Sequence, residues 1–189
     1  MGFLDSLIGR TNLPKTQEDK IFAITTASIT LQAAGGLQAP RRAGALFRRL
    51  PPGRFSQSVD EMRKLLDVEA EGGGAFTVED QTDQYGFQWL IVTGDDFEKI
   101  VAALHAIAQT LMEDGYGDLL VAAAFRFQQE NRPVYWIYEY KRGAFYPFVP
   151  ASGHNRDNAE EFRQASIAEK ELPVEQDQGC WYPLWDLPV

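Results

Sequence analysis

Leu119-Leu120-Val121-Ala122-Ala123-Ala124-Phe125-Arg126-Phe127 leads through a polar turn into Val134-Tyr135-Trp136-Ile137-Tyr138-Glu139-Tyr140-Lys141-Arg142-Gly143-Ala144-Phe145-Tyr146-Pro147-Phe148-Val149-Pro150, and this stretch decides the fold. Leu119, Val121, Ala123, Phe125 and Phe127 recur at every second residue, the period of a strand. The turn at residues 128–132 leads to a returning strand through Val134, Trp136, Tyr138 and Tyr140. Arg142-Gly143 then reverses the chain into a further strand over residues 145–149. Strands joined by such short turns pair antiparallel. Aromatic residues stand on both faces of this meander. One face serves the core, and the other must be covered. The tail Trp181-Tyr182-Pro183-Leu184-Trp185 is the expected cover. A partner surface, or a pocket with Trp136 and Tyr138 in its floor, is the sharper alternative.

Upstream of the meander, Phe97, Ile100, Val101, Leu104, Ala108 and Leu111 form one helical stripe. Asp95 and Glu98 read as its capping box, and Gly115 as its stop. Phe76 and Val78, a turn at Asp83-Gln84, then Phe87, Trp89 and Ile91 predict a hairpin. Nearer the start, residues 16–24 read as a short amphipathic helix, with Ile21, Phe22 and Ile24 apolar. Ile29, Leu31 and Ala33 alternate as a strand, and so do Ala43, Ala45 and Phe47. Ser58 and Glu61 form another capping box, ahead of Val59, Met62, Leu65 and Leu66 at helical spacing. Gly72-Gly73-Gly74 is a flexible connector; a phosphate loop would need a helix after it, and a strand follows. Downstream, Asp157 and Glu160 open a third capped helix, running to about residue 171.

The expected class is α+β: a mainly antiparallel sheet with helices packed on one face. Two β-β-α units suggest a duplication. The expected organisation is a segment and linker at 1–15, one domain at 16–171 and an extended aromatic strap at 172–189. Within the domain, 16–71 and 74–171 are the expected subdomains. Pro173, Pro183 and Pro188 forbid a long helix in the strap.

A chain of 189 residues is long enough for one substantial core. Its net charge of −9 is uneven: residues 1–60 carry +4 and residues 61–189 carry −13. An acidic bulk lacks the basic patch by which proteins displace counterions from nucleic acid. The exceptions are Arg41, Arg42, Arg48, Arg49 and Arg54, which read as a solvated or salt-bridged set. No apolar run approaches the roughly 20 residues of a bilayer span. Residues 1–10 carry Asp5 and lack the apolar core of a secretory signal. One cysteine, Cys180, forms no internal disulfide and suits a reducing cytoplasm. Phe3, Leu4, Leu7 and Ile8 lie on one helical face ahead of Gly9. This tip could dock on its own domain, on a partner, or on a membrane surface.

No catalytic motif, cofactor motif or metal-ligand spacing is present. His105 and His154 are far apart in sequence, and one cysteine does not make a zinc pattern. His105, at the edge of the helical stripe, reads as structural. Cys180 has no basic neighbour in sequence to lower its pKa. The acid pairs Asp95-Asp96 and Glu160-Glu161 sit where helix dipoles favour acids. Ser152-Gly153-His154-Asn155-Arg156-Asp157 is a polar loop ahead of a helix. It could hold an anion, or simply supply Asp157 as a cap. Lys141, Arg142, His154 and Arg156 around an aromatic floor are the candidate binding set for a small molecule or anion, as one function class. An adaptor is the other.

The chain resembles the PspA-associated protein PspAB family. The resemblance rests on Met1-Gly2-Phe3-Leu4-Asp5, Thr30-Leu31-Gln32-Ala33, Val134-Tyr135-Trp136-Ile137-Tyr138, Lys141-Arg142-Gly143, Arg156-Asp157-Asn158-Ala159, Leu172-Pro173-Val174-Glu175 and Trp181-Tyr182-Pro183-Leu184-Trp185. It implies a cytoplasmic, non-enzymatic accessory protein of a PspA-type envelope-stress response. A PspA-type protein is the implied partner. Peripheral contact with the inner membrane face through Phe3, Leu4, Leu7 and Ile8 would suit that role, and an open sheet edge would allow a homodimer. The resemblance supplies no catalytic residues and no cofactor.

Overall fold

A computed structural model describes residues 19–48, 57, 60, 64 and 76–189. The tip residues Phe3, Leu4, Leu7 and Ile8, Arg49 and Arg54, and Gly72 to Gly74 lie outside the described residues. So does most of the helix read from Ser58 onward, within which residues 60 and 64 are helical.

The meander forms as its periodicity requires. Strand β4 (Leu120–Gln129) pairs with β5 (Arg132–Glu139), and β5 with β6 (Ala144–Phe148), both antiparallel. The predicted hairpin is β2 (Phe76–Thr82) against β3 (Gln88–Gly94). Strand β1 (Arg42–Phe47) lies between β3 and β4, completing a six-stranded sheet in the order β2-β3-β1-β4-β5-β6. All of its neighbouring pairs are antiparallel. A small ribbon, β7 (Pro150–Ala151) with β8 (Asn155–Arg156), precedes the last helix. The class is therefore α+β.

Two sequence expectations are corrected. Ile29, Leu31 and Ala33 belong to helix α1 (Ala23–Ala33), which follows a 3-10 turn at Asp19–Phe22. Ile24, Ala27 and Leu31 of α1, with Ile21 of the 3-10 turn, are buried at a 3–4 spacing and pack toward the helices at Phe97–Glu113 and Asn158–Ala168. The alternation 29-31-33 was coincidental, because Ile29 faces solvent. The first β-β-α unit thereby loses a strand, and the duplication with it. β1 also hydrogen-bonds on both sides to strands from the 74–171 stretch. Second, the cap of α2 (Phe97–Glu113) is Asp96, whose carboxylate accepts from the Glu98 and Lys99 N–H groups. Asp95 instead pairs with Arg41 at 2.9 Å. Gly115, at φ +82°, ends α2, where a left-handed residue costs glycine nothing.

The sheet has two buried faces. On one, Ala43, Ala45, Phe125, Phe127, Trp136, Tyr138 and Phe145 pack with α1, α2 and the end of α3 (Asn158–Ala168). On the other lie Trp89, Ile91, Ala122, Ala124, Tyr135, Ile137, Tyr146 and Phe148. These are covered by Trp181, Leu184, Trp185, Leu187 and Val189 of the tail. The layers are helices, sheet and strap. The central strands present small residues to the strap, and a Cβ on Gly44 would stand 2.7 Å from Val189 Cγ1. The edge strand β6 is closed by three local devices. Phe145 exchanges hydrogen bonds with Pro173 and Glu175 at 2.8 Å each, Pro147 has no N–H, and the Val149 N–H donates to Glu161 at 2.8 Å.

Candidate functional site at the strap face

The strap is fastened by a few polar contacts. The buried Glu161 carboxylate accepts from Arg156 Nε at 3.0 and 3.1 Å, and pairs with Nη2 at 2.9 Å. Arg156 Nη1 donates to the Trp181 carbonyl, so this ion pair on α3 and β8 holds the strap. The Tyr146 hydroxyl donates to the Tyr182 carbonyl at 3.1 Å, and Trp181 Nε1 to the Glu175 carbonyl at 2.9 Å. Gln84 Nε2 donates to Asp186 at 2.7 Å, from the β2–β3 turn. Burial raises the pKa of Glu161, against the pull of Arg156. Burial also pushes the Tyr146 phenol up, keeping it a neutral donor.

Among the described residues, two clefts lie between strap and sheet, and Leu184 lines both. One, of about 330 Å³, is lined by Tyr135, Phe148, His154, Trp185 and Asp186 among others. The other, also about 330 Å³, has Arg48, Lys141, Glu139, Tyr146 and Tyr182 on its walls. The sequence-predicted set is thus distributed. His154 lines the first cleft and Lys141 the second. Arg142 is engaged by Glu139 at 3.3 Å and Glu175 at 3.4 Å. Arg156 is engaged by Glu161 and the strap. Trp136 and Tyr138 are fully buried on the helix face, so the floor placed on them is corrected: the rings on the strap side are Tyr135, Tyr146 and Phe148. One residue of register decides this, since neighbours on a strand point to opposite faces.

The remaining candidates take structural roles. His105 packs on Phe22 with tilted rings 4.8 Å apart, and its Nε2 lies 3.2 Å from Asp19. Asp157 caps α3, accepting from the Glu160 N–H at 3.1 Å. Cys180 donates to Asp177 at 3.3 Å, and burial followed by that bond raises the thiol pKa, which disfavours a nucleophilic thiolate.

A polar cluster that sequence reading missed ties α1, the β4–β5 turn and α3 together. Glu160 accepts from Gln129 at 2.8 Å, Gln164 at 2.7 Å and Arg163 at 2.7 and 2.8 Å. These bonds, Arg163 first, lower its pKa to about 2. Arg132 binds Asp157 at 2.6 Å, and Gly35 O accepts from Arg163 and Gln164 at 2.8 and 3.0 Å. The readable signal was the spacing of Glu160, Arg163 and Gln164 along one helix face. Among the described residues, no group of His, Cys, Asp and Glu is placed to hold a metal ion. Nor is any helix long and apolar enough to cross a membrane.

Comparison with known proteins gives one family match: the model described as PspAB, PspA associated protein B, over residues 1–189. No curated protein and no solved structure matches.

Proposed function

Because the chain belongs to the PspA associated protein B family, we propose that it is a non-catalytic accessory protein of a PspA-type envelope-stress system, working through protein contacts at the cytoplasmic membrane face. The family match carries this reading, because it spans the folded body, the tail and the apolar tip alike. The charge distribution supports it. A +4 first third with an apolar tip suits contact with an acidic partner or an anionic lipid surface, and a −13 remainder would be repelled from that surface. The engagement of Arg142 and Arg156 in ion pairs supports it too, since they serve the fold. Phe3, Leu4, Leu7 and Ile8 are the proposed contact residues.

Co-elution of the full chain with a PspA-type protein, with and without anionic vesicles, is the test. The expected result is a complex that deletion of residues 1–10 weakens while the melting temperature stays within about 2 °C, the scale of a change below 1 kcal/mol. Absence of any complex in both conditions overturns the reading. A deletion that mainly lowers stability relocates the tip to the protein's own surface.

A further inference from the structure

We propose that the cleft between Trp185 and the β7–β8 ribbon is a binding site for a small organic cation, a quaternary ammonium or guanidinium group. The rings lining it pack on one another around Trp185. Trp185 is perpendicular to Phe148 at 5.1 Å and to His154 at 5.2 Å, while Tyr135 stacks on Phe148 at 6.1 Å. Phe148 is closed to solvent and Tyr135 nearly so, so they support the cleft from beneath; Trp185 is the ring reachable from the mouth, beside His154 and Asp186. Ring faces carry negative quadrupole, and a cation within about 6 Å of them is attracted. The chain already uses this property once: the Arg156 guanidinium sits 5.6 Å from the Phe148 centroid.

The sign of the site follows from which charges are already balanced. The sequence allows the ribbon loop to be an anion site or a helix cap, and its side-chain donors Arg156 and Asn155 are engaged. Arg156 is neutralised by Glu161, the Asn155 amide donates to the Ser152 carbonyl, and Asp157 takes the helix N–H. Asp186 is the carboxylate at the mouth. It accepts from the neutral Gln84 amide, stands 3.8 Å from His154, and keeps lone pairs for a further donor. The backbone is committed to this arrangement. His154 and Asp186 both adopt φ +55°, a left-handed conformation sparse for residues other than glycine, and Gly153 between strand and loop has φ +69°. A cleft of about 330 Å³ lies at the small end of ligand pockets and has room for a tetramethylammonium or choline head.

The test titrates the full chain with tetramethylammonium chloride and with choline, following the Trp185 indole N–H resonance, assigned by its loss in Trp185→Phe. 3,3-Dimethylbutan-1-ol, the uncharged isostere of choline, is the control. Saturable shifts are expected for both cations, with the neutral alcohol weaker by about fivefold or more. Asp186→Asn is expected to weaken the cations by a similar factor and to leave the alcohol unchanged. Asn tolerates the left-handed backbone, so this variant keeps the loop. Equal binding of alcohol and cation overturns the proposal, as does the absence of saturation at about 100 mM, well beyond a millimolar dissociation constant. Neither result bears on co-elution with a PspA-type partner.

Discussion

Individual residues here divide by whether their charge is satisfied in place. Glu160 is the most strongly satisfied acid, with donors from Gln129, Gln164 and twice from Arg163. Its folded pKa of about 2 lies below the free value of 4.5. A depressed carboxyl contributes stability that is complete above its unfolded pKa and is lost as pH falls through the folded one. Glu160 therefore destabilises the fold progressively between about pH 5 and pH 2. Glu161 and Glu139, whose pKa values burial raises, act in the opposite direction: their ionisation opposes folding as pH rises. Urea denaturation of Glu160→Gln across that acid range should show lower stability at pH 7 and a flatter acid limb. An unchanged acid limb would remove Glu160 from this role.

At the scale of elements, the cap of α2 separates two adjacent acids that look alike in sequence. Asp96 accepts two backbone N–H groups, whereas Asp95 reaches the exposed Arg41. Replacing an N-cap acid by Ala typically costs about 1 kcal/mol. Removing one member of an exposed ion pair costs about 0–1 kcal/mol, most often near the lower end. Thermal denaturation should thus rank Asp96→Ala below Asp95→Ala, and the reverse order would return the cap to Asp95. α1 teaches the complementary lesson. The apolar positions 21, 24, 27 and 31 of the 3-10 turn and α1 were present in the sequence, but Ile29, Leu31 and Ala33 imitated strand alternation over a short window. Buried packing against α2 and α3 decided for the helix, as tertiary burial commonly overrides short local patterns.

For the whole molecule, the strap is what closes the second face of the sheet. Trp181 is 6% exposed and Val189 4%, values of core residues at the end of a chain. Trp181→Ala should cost about 3 kcal/mol or more in urea denaturation. Deleting residues 181–189 should expose Trp89, Ile91, Tyr146 and Phe148, read as dye binding and self-association in light scattering. A monomeric, dye-silent truncation would mean that something else covers that face. Local patterns were enough for the class, the β4–β5–β6 meander, the β2–β3 hairpin, the α2 stripe and the aromatic tail as cover. Each is written in a local period of 2 or 3.6 or in an aromatic excess that water would not tolerate. Long-range packing was needed to place β1 between β3 and β4, to turn Trp136 to the helices and Tyr135 to the strap, and to engage Arg142 and Arg156 in ion pairs while His154 meets Trp185. Those facts depend on register and on partners distant in the chain, as in Arg142 with Glu175, Arg156 with Trp181 or Thr30 with Glu171. No local pattern encodes such distances, because they are set by which faces pack together.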